Sequence, residues 1–247
     1  MNILCASDIT YQQLLTNGNI SDIIHLNPFV TLPNINIINK LNNKFQFFDC
    51  IIVISPTIVE ICKTIFISNC DKIFLTMGKV SAKLLMEIGI SAKNIIYSNK
   101  SDGVSGLIND ILPSLLQAGQ NFKYCILQGI TENYNDGIYK LQNSNSSNLL
   151  FNFLDKYQVN YQIFNIYLRS NNTIIQDQYI NLLYNNQINR IIITSSLFLE
   201  CLINIINQNN YNQQLKLIYF LTWQKKVFHK FTDYGIIKNR VLLNNPY

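Results

Sequence analysis

Charge is scarce in this chain. Asp, Glu, Lys and Arg make up 13% of its 247 residues, about half the usual share. Histidine is scarcer still, with only His25 and His229. That excludes a His-rich metal centre and argues against a Ser-His-Asp triad. His229 falls on a surface-type helix pattern and is expected in solvent, and His25 closes a short apolar run and reads as structural. Nine glycines and five prolines exclude a collagen-like or low-complexity chain. There is no phosphate-binding G-x-x-x-x-G-K-S/T motif: Val80 follows Gly78-Lys79, and Ile73 stands where the first glycine belongs. G-x-G-x-x-G and G-x-S-x-G are missing too. No apolar run reaches about 18 residues without a polar break, so no membrane-spanning helix is expected. The start MNILCASD has neither a basic leader nor a long apolar stretch, which reads as a chain without a signal peptide. Cysteines at 5, 50, 62, 70, 125 and 201 form no C-x-x-C. They are expected to be reduced thiols of a cytoplasmic protein.

Apolar residues, in contrast, reach 48%. That excludes disorder and suffices for one large domain or two small ones. Asn is about one residue in seven, which suggests an AT-rich genome rather than a function. The net charge of +5 is scattered, with no basic run that reads as a nucleic-acid arm. A small polyanion fits this balance at least as well.

Short β-branched runs alternate with helical patterns. Strands are predicted at 2–5, 50–54, 72–76, 94–97, 124–127, 161–166, 190–194 and 216–221. Several are apolar at consecutive positions, as strands covered on both faces are. Helical spacing marks 81–88, 104–116, 148–157, 176–184, 197–206 and 224–234. The alternation predicts α/β architecture with parallel sheets. Two halves look alike. Asp49-Cys-Ile-Ile-Val-Ile-Ser-Pro-Thr-Ile-Val-Glu60 parallels Asn189-Arg-Ile-Ile-Ile-Thr-Ser-Ser-Leu-Phe-Leu-Glu200. Ile73-Phe-Leu-Thr-Met-Gly-Lys79 parallels Tyr219-Phe-Leu-Thr-Trp-Gln-Lys225. Recurrence in the same order suggests a duplicated unit. Leu26–Pro33, with two prolines, reads as a linker strand. A second break is expected after Ile166, and a loop at 143–148.

Ligands of α/β proteins bind at the carboxyl ends of strands. Ser55-Pro56-Thr57 follows one such end, where a hydroxyl can cap the next helix and Pro suits its first turn. Thr194-Ser195-Ser196 holds the same place in the other half. Thr76-Met77-Gly78-Lys79-Val80-Ser81 is a third, with Gly78 permitting close approach and Ser81 able to cap or touch a ligand. Gln128-Gly129 is a fourth. Hydroxyl-lined helix starts in both halves suit a carboxylate-rich ligand. Tyr167 ends the strand at 161–166, where packing is one reading and proton donation the other.

In this order the motifs resemble the uroporphyrinogen-III synthase family. Phe48–Val59, Phe74–Gly89, Cys125–Gly129, Ile166-Tyr167 and Asn189–Ser195 each match a motif of that family, and together they span nearly the whole chain. The resemblance implies two flavodoxin-like α/β domains joined by two linker strands, with residues 1–31 and 168–247 in one and 32–167 in the other. It implies a monomer that closes linear hydroxymethylbilane to uroporphyrinogen III with inversion of the last pyrrole ring and loss of water. No metal or organic cofactor is implied, and neither nucleic acid nor membrane is a partner. The substrate is a tetrapyrrole polycarboxylate, handed over from hydroxymethylbilane synthase. Tyr167 matches the tyrosine proposed to assist departure of the hydroxyl. Ser55, Thr57, Gly78, Lys79, Ser81, Gln128, Gly129, Thr194, Ser195 and Ser196 would bind substrate. There are departures. Ala6-Ser7 replaces a Thr-Arg, Ser81 a Thr, Ile130 a polar residue, and Gln224 and Val227 the Gly and Thr of the second G-x-x-T. An inactive relative that only binds a tetrapyrrole or another anion is the alternative, and a flavin-binding regulatory domain is a third.

Overall fold

The structure is a computed structural model that describes residues 2–5, 23–101, 103–117, 122–135, 138–142, 145–171, 173–185, 187–208, 217–222, 224–236 and 238–243. Its twelve described strands are β1 (Asn2–Cys5), β2 (Ile23–His25), β3 (Phe29–Pro33), β4 (Cys50–Val53), β5 (Ile73–Thr76), β6 (Ile95–Ile96), β7 (Tyr124–Asn135), β8 (Ile138–Gln142), β9 (Tyr161–Asn171), β10 (Ile188–Ile192), β11 (Tyr219–Thr222) and β12 (Val241–Leu243). They divide between two compact units, Met1–Val30 with Asn171–Tyr247, and Thr31–Ser170. The chain passes from one unit to the other within β3 and again within β9.

In the unit Thr31–Ser170 the sheet order is β3-β9-β7-β4-β5-β6, with β8 antiparallel to the far end of β7. The strands β9, β7, β4, β5 and β6 run parallel. Cys50, Ile51, Ile52 and Val53 are all fully buried because both faces of β4 are covered. Ile51 and Val53 point into one core with Leu41, Ile58, Phe66, Phe74 and Leu85. Those partners come from the helices Ile35–Lys44, Pro56–Ile61, Lys63–Ile67 and Lys79–Glu87 and from β5. Cys50 and Ile52 point into the opposite core with Leu107, Leu112, Leu150 and Leu154, from the helical stretch 103–117 and the helix Asn145–Lys156. Each fully buried Leu, Ile or Phe contributes roughly 1.5–3 kcal/mol.

The other unit has the parallel order β12-β11-β10-β1-β2, the flavodoxin order. Its main core joins Leu4 and Ile191 of the sheet to Tyr179, Leu183, Leu199, Leu202 and Phe231. The two sheets have the same plan. β4, β5 and β6 occupy the places of β10, β11 and β12, while β7 and β9 occupy those of β1 and β2. The strands that begin one unit correspond to those that end the other, a circular permutation. The repeated segments therefore sit at equivalent positions. Phe74 of β5 and Phe220 of β11 are both fully buried, against Phe66 and Phe231 at centroid distances of 5.1 and 5.0 Å.

Several expectations need correction. β7 and β9 continue to Asn135 and Asn171 rather than stopping at 127 and 166; the antiparallel strand β8 supports the extension of β7. The loop expected at 143–148 is helical from Asn145. The helix Ile35–Lys44 was not anticipated. Asn34 caps it by accepting from Ile37 N, and Leu41 anchors it in the core. The thiols form no disulfide, and His229 is exposed. No described helix is long and apolar enough to cross a membrane.

Candidate functional site

In each sheet the direction of winding reverses beside one central strand pair, β4/β7 in one unit and β10/β1 in the other. Open α/β sheets bind ligands outside the carboxyl ends of that pair. Ile54 N donates to Leu127 O across 3.2 Å, which locks the carboxyl ends of β4 and β7 together. Ser55 and Gln128-Gly129 come next along the two strands.

β9 brings Tyr167 to the same place. Pairing of β7 with β9 runs in register as far as Gln128 opposite Asn165, then skips, so that Gly129 lies opposite Tyr167. The extra residue is Ile166. Alternation along a strand would put Ile166 and Tyr167 on opposite faces, yet both belong to the core that holds Phe164. The bulge turns Tyr167 onto that face, the use to which bulges beside functional sites are put. Gly129 makes the room. A Cβ there would lie 2.1 Å from Cε2 and Cζ of Tyr167 and 2.6 Å from its Oη. The ring is 5% exposed.

Ser55 Oγ and Tyr167 Oη are 3.2 Å apart. Ser55 stands at the start of the helix Pro56–Ile61, but its hydroxyl makes no capping bond. It serves the tyrosine instead. Gln128 is buried, and its Nε2 donates to Asn165 Oδ1 at 2.8 Å, which ties β7 to β9 just before the bulge. Arg169, which no sequence motif marks, donates from Nη2 to Tyr167 Oη at 3.5 Å. Its only signal in the sequence is spacing, since residues two apart on a strand share a face. Thr57 is half-buried in the first turn after Ser55.

Gly78 precedes the helix Lys79–Glu87. Its backbone is extended, and a Cβ there would meet nothing within 4 Å. The fold thus leaves the space over Gly78 open without requiring glycine. Lys79 is exposed. Ser81 is not the cap that the sequence suggested: it lies inside the helix and is 4% exposed. Val227, at the matching place in the other unit, is fully buried. Both are core positions, so the change from hydroxyl to methyl removes no exposed donor. Thr76 and Thr222 end β5 and β11 and are buried. Thr76 Oγ1 donates to Gly78 O at 3.1 Å, and Thr222 Oγ1 accepts from Gln224 N at 3.3 Å.

In the other unit Ser195 does act as a cap. Its Oγ accepts from Phe198 N at 3.2 Å at the head of the helix Ser196–Gln208. Thr194, Ser195 and Ser196 are half-buried at the carboxyl end of β10. Ala6 and Ser7 lie outside the described residues. Among the described residues no group of His, Cys, Asp and Glu could hold a metal ion.

No protein-family model matches the sequence, and no curated protein matches it. Among solved structures, the chain is similar to a mutant uroporphyrinogen III synthase from the extremely thermophilic bacterium Thermus thermophilus, with a TM-score of 0.54 at 10% identity over 96% of this chain and 90% of that one. The wild-type enzyme in another crystal form gives 0.44 at 12% identity, over 96% and 89%. A further Thermus thermophilus uroporphyrinogen III synthase structure gives 0.40 at 11%, over 96% and 90%. At such identities the first likeness is one of fold: this chain has a two-unit α/β fold similar to that of the Thermus thermophilus synthase along nearly its whole length.

Proposed function

We propose that this protein is a uroporphyrinogen-III synthase, a lyase that closes linear hydroxymethylbilane to uroporphyrinogen III. The observation that carries the reading is the placement of Tyr167. A strand bulge and a side-chain-free partner, Gly129, seat its hydroxyl beside Ser55 at the reversal point of the sheet. The likeness in fold and the order of motifs support the same reading.

The reaction asks little of a protein in the way of chemical groups. The hydroxymethyl oxygen leaves as water once it is protonated, and a pyrrole carbon of the same molecule attacks the cation left behind. Passage through a spiro intermediate inverts the last ring, and a pyrrole carbon releases the balancing proton. Unaided closure gives the uninverted isomer. The enzyme must therefore favour one geometry, which is a positioning task. Tyr167 is assigned the proton delivered to the leaving oxygen, with Ser55 orienting its hydroxyl. Thr57, the open backbone at Gly78, Lys79, Gln128 and Gly129 are assigned to substrate carboxylates and pyrroles. Thr194, Ser195 and Ser196 are assigned the same role. A scarcity of charge and histidine is no handicap to a site that works by shape and hydrogen bonds.

The runner-up is a relative that binds the tetrapyrrole without turning it over. What favours it is Gln224 in place of the glycine of the second motif. One assay separates the two. Purified protein mixed with hydroxymethylbilane should raise the share of isomer III over isomer I on chromatographic separation. Isomer I alone, at the spontaneous rate, refutes the synthase.

A further inference from the structure

Arg169 lies two residues beyond Tyr167 on β9, level with Thr131 of β7. Its guanidinium reaches Tyr167 in two ways: Nη2 donates to Oη at 3.5 Å, and Cζ sits 5.6 Å from the ring centroid. Ser55 Oγ meets the same Oη from the end of β4 at 3.2 Å. A phenol oxygen that accepts from a guanidinium must direct its own hydrogen elsewhere. The guanidinium has five N–H donors, so its bond to Oη leaves it able to donate to an acceptor beside the phenol. Arg169 is half-buried, so a charge that meets it is partly shielded from water and the pairing is stronger than on an open surface.

The geometry points to Arg169 as a carboxylate-binding residue, which holds one carboxylate of the ligand beside Tyr167. The fork of the guanidinium matches the two oxygens of a carboxylate. The identity of that ligand as a polycarboxylate tetrapyrrole rests on the function proposed above. The subsite itself rests on the contacts of Arg169. It also gives Tyr167 a direction, because a carboxylate anchored beside the phenol fixes how far the reacting carbon stands from Oη.

The test uses the full chain with two fluorescent probes, uroporphyrin, which carries eight carboxylates, and its octamethyl ester, which carries none free. The wild type should bind the acid and not the ester. Arg169→Gln should weaken binding of the acid about tenfold or more, and Arg169→Lys should restore only part, since it keeps charge but loses the fork. Lys93→Gln, an exposed charge elsewhere in the same unit, should change binding little. Should Arg169→Gln fail to fold by thermal melting, Arg169→Lys decides alone and must still bind more weakly. Equal affinity in wild type and Arg169 variants, or equal losses in the Arg169 and Lys93 variants, overturns the assignment. Arg169-dependent binding without formation of isomer III keeps the subsite and discards the synthase. Formation of isomer III with KM and binding unchanged in Arg169→Gln keeps the synthase and discards the subsite. No binding and no isomer III discards both.

Discussion

Gly129 and Tyr167 share one volume: the tyrosine ring occupies the place where any side chain at position 129 would begin, with Cε2 and Cζ 2.1 Å from an added Cβ. The ring cannot retreat easily, because it is 5% exposed and packed into the core with Phe164 and Ile166. Gly129→Ala should therefore cost about 1–3 kcal/mol, as overpacking of a close-fitting core does, and should displace the hydroxyl from Ser55. The expected result is a lower urea midpoint with a fall in isomer III formation of about tenfold or more. An unchanged midpoint and rate would show that the ring moves aside freely.

Tyr167→Phe removes the hydroxyl and keeps the ring. Stability should change by no more than about 1 kcal/mol, the net worth of one hydrogen bond. Turnover should fall about a hundredfold, within the range of a general acid. Ser55→Ala removes the partner and not the donor, so its effect on turnover should stay within about tenfold. If Ser55 acts through Tyr167, the double variant is no slower than Tyr167→Phe alone. Steady-state rates of the three variants settle this, and additive losses would give Ser55 a separate role.

Val227 stands where the family pattern has a threonine. It is fully buried with Phe220 and Phe231. Val227→Thr, which restores the motif, should lower stability by about 1–3 kcal/mol because it places a hydroxyl among apolar side chains. It should bring no gain in isomer III. Thermal melts and the isomer assay check the two halves of the prediction. A faster enzyme after this change would mean that the hydroxyl, and not the core, sets the residue at 227.

How far the sequence discloses all this can be seen residue by residue. The architecture was legible because buried parallel strands such as Cys50–Val53 are apolar at every position, and because turns such as Ser55-Pro56 punctuate them. Ends of strands were less legible. The register shift between Gln128 and Gly129 depends on the pairing of two segments far apart in the chain, and no local pattern encodes it. For the same reason Tyr167 was visible as a residue at a strand end, whereas its contact with Ser55, 112 positions away, was not. Arg169 looked like an ordinary polar residue in a break, since the strand was expected to have ended. Ser81 misled because a hydroxyl near a helix start can cap or pack, and only its depth in the core tells which.

The buried thiols make stability depend on alkaline pH. Burial pushes Cys62 from 9.0 to about 12, and partial burial pushes the half-buried Cys201 to about 11. Cys50 is raised beyond that range, by burial first and by the charge of Asp49 second. Cys125 is raised well above 9.0, also chiefly by burial. Each is a neutral acid whose folded-state pKa lies above its value in the unfolded chain. Below pH 9 both states hold the proton, and the contribution is fully present. Above pH 9 the unfolded chain releases protons that the folded chain keeps, so stability falls as pH rises toward the folded values, by up to about 1.4 kcal/mol per pH unit for each thiol. The urea midpoint should be level between about pH 6 and 8 with respect to these groups, and should drop steadily from about pH 9 to 10.5. Cys62→Ala should be less stable at neutral pH, through the lost packing, but should show a shallower alkaline decline because one proton fewer is at stake. A decline as steep as that of the wild type would mean that Cys62 ionises in the folded protein as readily as in the unfolded one. Its burial at 1% exposure would then not be what governs its proton.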